Sequence, residues 1–372
     1  MSLVYFSPVP WDSFAQRPHH FVRWYHRRTG GDVLWVDPYP TRLPTWSDWK
    51  RPAVVQGAPG TEPPAWLSVR RVRAFPLEPF PGLNRINGML WRSLRDDIVR
   101  LVLGDTAVRV VVGKPSLLAL SVIESVPVGQ SVYDAMDDFP AFYRGLSRVS
   151  MARREACVMR RAGRVLASST ALETRLSAVR GDVTRALNAC EASSLPDMPV
   201  PHRQSCVPVF GYLGTMGGWF DWSWVRRLAE ARPGYRVRLI GPLFVQPSCA
   251  LPENVEILPP IDHSAAMSAL IDFSVGLIPF RNNVLTESVD PIKYYEYRGA
   301  GLPVLSTPFG EMRLRQNVAG VWLGRAVDDL GALADAALHF DAAHQSTLQF
   351  RAENDWCARF DAALCDWFSC LT

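Results

Sequence analysis

Short apolar runs bounded by Gly, Pro and Asp alternate along the chain with segments whose apolar positions recur every three or four residues. The run Leu-Val-Tyr-Phe at 3–6 predicts a strand, a Pro/Trp loop follows, 17–28 predicts a helix, and 32–37 a second strand. This β-loop-α-β opening is the start of a parallel α/β domain. From 38 to 81 the chain is rich in Pro, Trp and Arg, and 68–75 carries a strand pattern within an otherwise irregular surface segment. Residues 87–103 place Met89, Leu90, Leu94, Ile98, Leu101 and Val102 on one helical stripe, a pattern shared by packed helices and membrane-surface helices. Strands are predicted at 107–112, 130–133, 164–167 and 183–187, with a helix at 149–162.

Residues 191–204, with Ser193, Ser194, Pro196, Pro199 and Pro201, read as a linker. Beyond it the pattern restarts, with strands at 207–213, 236–240, 255–258, 273–277 and 303–306 and helices at 222–231, 264–271 and 292–299. Two successive βα series predict an α/β protein of two Rossmann-like, doubly wound domains facing across a cleft, 1–200 and 205–345. In such folds chemistry belongs to the loops at the carboxyl ends of strands.

The length of 372 residues agrees with two domains, and 48% hydrophobic with 20% charged residues excludes a disordered, collagenous or coiled-coil chain. Charge divides unevenly: residues 1–200 hold 26 Lys+Arg against 18 Asp+Glu, and 201–372 hold 14 against 18. A basic first domain facing an anionic partner is one reading, and two solvated faces of different sign is the other. Only Lys50, Lys114 and Lys293 among the 40 basic residues are lysines, so Lys293 stands alone in its half. The seven cysteines are scattered without a C-x-x-C, which argues against a disulfide framework or a zinc site and reads as buried thiols of a reducing compartment. The start of the chain lacks a signal-peptide pattern and no apolar stretch is long enough to span a membrane, so the expectation is a cytoplasmic protein, with peripheral seating on the inner membrane as a further option.

Three clusters carry candidate chemistry. The loop after 207–213 reads Gly214-Thr-Met-Gly-Gly218, where backbone N–H groups can approach a diphosphate; it is neither G-x-G-x-x-G nor a Walker motif, and a plain tight turn explains it equally. In 286–306, Lys293 and Glu296 share a helix face just after Pro291, and Gly299 and Gly301 end the helix. A lysine there can neutralise phosphate and a carboxylate one turn on can accept from ribose hydroxyls, while a surface ion pair is the alternative. Tyr133-Asp-Ala-Met-Asp-Asp-Phe139 follows a strand end, and a carboxylate among carboxylates has the raised pKa suited to a base; capping of a helix near Phe139 accounts for any one of these aspartates equally well. His19 and His20 follow the first strand, as phosphate or hydroxyl ligands or as histidines satisfied by the backbone. The basic run Arg153, Arg154, Arg160, Arg161 and Arg164 reads as a solvated face or an anionic-lipid surface, with the Trp-rich 38–91 supplying interfacial aromatics.

The 286–306 segment resembles the donor motif of GT-B glycosyltransferases, especially the family-4-like bacterial polysaccharide group, in which a helix with a final glutamate precedes A-x-G-x-P-V. Phe210-Gly-Tyr-Leu-Gly-Thr-Met, Trp219-Phe-Asp221 and Leu239-Ile-Gly-Pro242 are similar to the opening of that family's donor domain, Arg17-Pro-His-His20 to a loop of its acceptor domain, and Glu155, Ser168-Ser169 and Asn188 to its E…S…N landmarks. The resemblance implies that Glu296 holds the ribose, that Lys293, Ser288, Gly214 and Thr215 hold the diphosphate, and that Ile261 faces the nucleobase. It places Ser288 where the family carries the first of two glutamates, with Glu287 and Asp290 beside it. It implies Asp137 as base, with Asp138 and His19 as further catalytic candidates, Arg17, His20 and Asp134 on the acceptor side, and 350–372 packing back on the first domain. The implied activity moves a sugar from a nucleotide-diphosphate sugar such as a UDP-sugar to a hydroxyl of a saccharide acceptor, lipid-linked in polysaccharide assembly, without cofactor, metal or nucleic acid. A non-hydrolysing nucleotide-sugar epimerase and a non-catalytic sugar-binding scaffold share the architecture and stay open as alternatives.

Overall fold

The computed structural model describes residues 2–41, 62–76, 78, 80, 84–196 and 207–368. Trp46, Trp49, Cys206, Cys370 and most of the linker lie outside these residues. The chain divides into two compact units, Met1–Leu187 with Phe360–Thr372, and Asn188–Arg359.

In the first unit the elements run β1 (Leu3–Phe6), α1 (Arg17–Thr29), β2 (Val33–Val36), β3 (Leu67–Arg70), α2 (Asn84–Leu90), α3 (Arg92–Gly104), β4 (Arg109–Val112), α4 (Leu117–Ile123), β5 (Ser131–Ala135), α5 (Gly145–Arg161), β6 (Arg164–Ala167), α6 (Thr170–Ser177) and β7 (Val183–Arg185). The sheet has the order β3-β2-β1-β4-β5-β6-β7 with every neighbour parallel. Its central strands are buried along their whole length, as helices on both faces of a parallel sheet require.

Several expectations are corrected. The single helix over 87–103 is two, because Trp91 leaves helical geometry (φ −103, ψ 5) and buries its ring against Tyr39. Ile98 and Val102 face the core, whereas Met89 and Leu90 are exposed. The strand at 68–75 is confined to β3, and α4 and α6 were not foreseen: α4 is almost wholly apolar and so shows no helical period. Arg154 does not belong to a solvated face; it is buried in an ion pair with Glu78 at 2.7 Å. Trp91, at the end of the 38–91 segment, is a core residue and offers no surface aromatic. Of the five described cysteines, all free thiols, Cys190 alone is buried.

The second unit runs β8 (Val209–Leu213), α7 (Trp222–Ala231), β9 (Arg236–Ile240), β10 (Val255–Leu258), α8 (His263–Ala269), β11 (Val275–Ile278), α9 (Ile292–Gly299), β12 (Val304–Ser306), β13 (Val321–Leu323), α10 (Leu330–Leu338), α11 (His344–Glu353) and α12 (Trp356–Leu364), whose last residues belong to the first unit. The parallel sheet has the order β10-β9-β8-β11-β12-β13. Asp221 caps α7 by accepting from the Ser223 and Trp224 amides, and the Trp222, Trp224, Val225 and Leu228 side chains fill the core beneath. Gly276 on β11 makes room for α9: a Cβ there would lie 2.2 Å from the Tyr297 ring. In the closing segment, Phe360 packs on Phe21 and Trp24, and Arg109 lies over the Trp367 ring. Among the described residues no helix is long and apolar enough to cross a membrane.

Candidate functional site

In the second unit, strand order reverses between β8 and β11, and ligands of doubly wound sheets bind outside the carboxyl ends at such a switch point. The Gly214 turn follows β8 and α9 follows β11, so both elements flank that point. Gly214 has φ +148, and a Cβ on it would meet the Tyr212 hydroxyl at 3.0 Å and Lys293 Cε at 3.4 Å. The turn is pinned from below: Gly214 N–H donates to the Ile240 carbonyl, and Tyr212 OH donates to the Thr215 carbonyl at 3.0 Å. Helix α9 is held to the same strand end, because buried Tyr297 accepts from the Leu213 amide at 3.0 Å.

One turn before Tyr297, Lys293 Nζ lies 2.8 Å from Glu296 Oε2, with the side chains 26% and 10% exposed. The pair thus presents a cation beside the glycine turn and an oriented carboxylate behind it. Ser288 and Thr215 add hydroxyls that no hydrogen bond engages among the described residues. The loop carrying Ser288 is fixed at both ends. Thr286 donates to carbonyls of the same loop, and Asp290 accepts from Arg315 at 2.7 Å, Tyr295 OH at 2.9 Å and the Asn188 amide at 2.8 Å. Gly310, with φ +41, passes so close that a Cβ would lie 2.3 Å from the Val289 carbonyl. Ile261 is partly exposed just beyond the edge strand β10.

In the first unit, β5 delivers Asp134 and the 136–138 loop. Asp134 is wholly buried and accepts from Arg17 Nε and Nη2 at 2.9 and 2.8 Å, while Arg17 also donates to the Ala186 carbonyl. Both were expected on the acceptor side; instead they pair with each other inside the unit. His19 corrects a second expectation. Its Nδ1 accepts from the Gln16 amide, its Nε2 donates to the Trp11 carbonyl, and its ring is packed against Trp11 and Trp35. Burial lowers its pKa to about 4, so both nitrogens of a neutral ring are engaged and it has no lone pair for a substrate proton. His20 is buried on the same helix.

Asp137 differs. No hydrogen bond or ion pair engages its carboxylate among the described residues, and burial, reinforced by Asp138 and opposed by Arg17, raises its pKa to about 7. Asp138 faces Arg175 at 3.5 Å, and Arg175 also binds Glu155, which accepts from Tyr133 OH at 2.8 Å. Ser168 donates to the Met136 carbonyl and fixes the loop next to Asp137. The landmark residues Glu155, Ser168 and Asn188 are therefore scaffolding for loops. Nothing in the spacing of Arg175 links it to Asp138, so the sequence alone does not point to this pairing.

No protein-family model matches the chain, and no curated protein sequence is similar to it at a significant level. Solved structures are similar in fold. HepE from Anabaena, in complex with UDP and glucose, has a TM-score of 0.64 at 13% identity over 100% of this chain and 99% of that one. Sucrose-phosphate synthase from Thermosynechococcus elongatus has 0.63 at 14%, covering 100% of both chains. The lipopolysaccharide outer core galactosyltransferase WaaB has 0.61 at 12%, again covering 100% of both. The fold is that of the GT-B glycosyltransferases, two Rossmann-like units each built on a parallel sheet.

Proposed function

We propose that the chain is a glycosyltransferase that takes a sugar from a UDP-sugar to the hydroxyl of a saccharide acceptor in polysaccharide assembly, lipid-linked and reached from the inner-membrane surface. The observation that carries this reading is the Lys293–Glu296 pair set against the Gly214 turn at the switch point of the second sheet. Lys293 and the turn amides stabilise the diphosphate as the C1–O bond breaks and negative charge develops on the leaving oxygen. Glu296 orients Lys293 and accepts from the ribose hydroxyls, so binding and leaving-group stabilisation share one helix face. Asp137 is the base that takes the acceptor hydroxyl proton as the new C1–O bond forms, since a carboxyl titrating near 7 is matched to that task. Helix potential, amides and Lys293 supply the charge stabilisation that a metal ion supplies elsewhere.

The test is calorimetric titration of UDP into the wild-type chain and Glu296→Ala. The expected result is a loss of about a hundredfold or more in affinity, as two charge-assisted bonds and the orientation of Lys293 vanish together. Unchanged affinity would overturn the donor site. Product analysis with the UDP-sugar alone separates transfer from epimerisation, because an epimerase converts donor without acceptor.

A further inference from the structure

Ser288 and the Lys293–Glu296 pair stand on different local structures, Ser288 on an irregular loop and the pair on helix α9. For one diphosphate to meet both, the loop must keep a fixed place against the helix. Pro291, directly before α9, has no N–H to donate, so the backbone at the junction does little to supply that hold.

Arg315 supplies it. This residue ends the short 3-10 turn Gly310–Arg315 that follows β12, and its side chain is buried. Its Nη2 donates to Asp290 Oδ1 at 2.7 Å and to the Tyr295 hydroxyl at 2.8 Å, and that hydroxyl donates to Asp290 Oδ2 at 2.9 Å, closing a ring of three side chains. The guanidinium also lies 3.9 Å from the centre of the Tyr294 ring. Tyr294 and Tyr295 are the two residues between Lys293 and Glu296. One side chain thus holds both the loop that carries Ser288 and the helical turn that carries the pair. The 3-10 turn meets the loop at a second point, where the Glu311 amide donates to the Val289 carbonyl at 3.0 Å.

Stability alone is a poor reason for such a cluster, because a buried ion pair contributes little over apolar side chains of the same volume. Burial pushes the Asp290 carboxyl up, and the Arg315 charge is the largest influence pulling it back. What the pair adds is direction: a planar guanidinium, stacked on one ring and bonded along its edge, fixes two elements at once, which a lysine ammonium does not. Ser288 is what the fixed loop presents. It is 8% exposed, and its hydroxyl bonds no group among the described residues, which leaves a donor and an acceptor for a ligand.

We infer that Arg315 is a positioning residue of the donor site: it keeps the Ser288 hydroxyl in register with the Lys293–Glu296 pair so that both engage one nucleotide diphosphate, a role that rests on the donor reading of that pair.

The experiment is a double-mutant cycle read by calorimetric titration of UDP into the full chain, with wild type, Ser288→Ala, Arg315→Lys and the double variant, beside Glu296→Ala. Lysine keeps a positive charge near Asp290 but removes the stacked fork. Each single variant should lose about tenfold in affinity, and the double variant about tenfold as well instead of about a hundredfold, since a hydroxyl already out of register has nothing further to lose. An arginine that only supports the fold weakens binding independently of Ser288, so losses that multiply would overturn the inference. Wild-type affinity in Ser288→Ala or in a folded Arg315→Lys chain would overturn it too. Where Arg315→Lys does not melt like wild type, Asp290→Asn takes its place in the cycle, with the same coupling expected and multiplying losses again decisive against it. A wild-type chain that binds no UDP, or an unchanged Glu296→Ala, refutes the donor reading and this role with it; multiplying losses beside a weakened Glu296→Ala refute the role of Arg315 alone.

Discussion

Replacing Asp137 by Asn should remove transfer while making the protein more stable, and the gain should depend on pH. Burial raises this carboxyl from the ordinary 3.8 to about 7, so the folded state holds its proton more tightly than the unfolded state. Stability from this group is therefore complete below about pH 4 and declines as pH rises to about 7, where the folded carboxyl ionises as well. At about 1.4 kcal/mol per tenfold change in proton affinity, the full rise corresponds to about 4 kcal/mol above pH 7. The side chain is half-buried, and solvent screening on its open side reduces the figure to about 2 kcal/mol. Asparagine keeps the shape without the charge. The variant should gain about 2 kcal/mol at pH 8 and about 1 at pH 5. In a unit of about 200 residues that amounts to a rise of about 4–8 °C in Tm at pH 8. Scanning calorimetry across pH 5–8, alongside transfer with UDP-sugar and acceptor, measures both effects. A pH-independent difference in Tm, or a loss of stability at pH 8, would refute the account of Asp137 as a carboxylate held in a desolvated position. Full transfer activity would refute its role as base.

The rate of transfer at low substrate should rise with pH along a single ionisation near 7, the folded value for Asp137, and a flat profile between pH 5 and 8 would count against that residue. Arg175→Met should destabilise the first unit by about 3 kcal/mol, because it leaves the buried Glu155 carboxylate without its cation; chemical denaturation reads this as a lower midpoint. Gly214→Ala should weaken UDP binding by about tenfold or more and lower stability by about 1–2 kcal/mol, since alanine is strained at φ +148 and its methyl would press on Tyr212 and Lys293. Calorimetry and thermal melting of that variant separate the two effects.

What could be read in the sequence was local. The Lys293–Glu296 pair is three residues apart on a helix, and the glycine turn directly follows its strand, so their placement follows from helical period and strand ends. The helices over 222–231 and 292–299 lie where their apolar positions indicated. The pairings that decide what the other candidates can do are distant in the chain. Arg17 and Asp134 are separated by 117 positions, and nothing in either neighbourhood announces that each buries the other's charge. His19 reads as an available imidazole until Trp11 and Gln16 are seen to occupy both of its nitrogens.

Asn188 has a bearing on how the protein can be divided. By composition, the second half begins after the Pro- and Ser-rich stretch, and a fragment starting at β8 would look complete. Yet the Asn188 side chain donates to the Asp290 carbonyl and its amide to the Asp290 carboxylate, while Cys190 bridges to Asp355. A fragment cut at the compositional boundary would lose the clamp on the segment that carries Ser288, and weak nucleotide binding by it would reflect a missing brace and not a missing ligand. Separate expression of the second half should therefore begin upstream of 188, where the fold itself changes ownership of the chain.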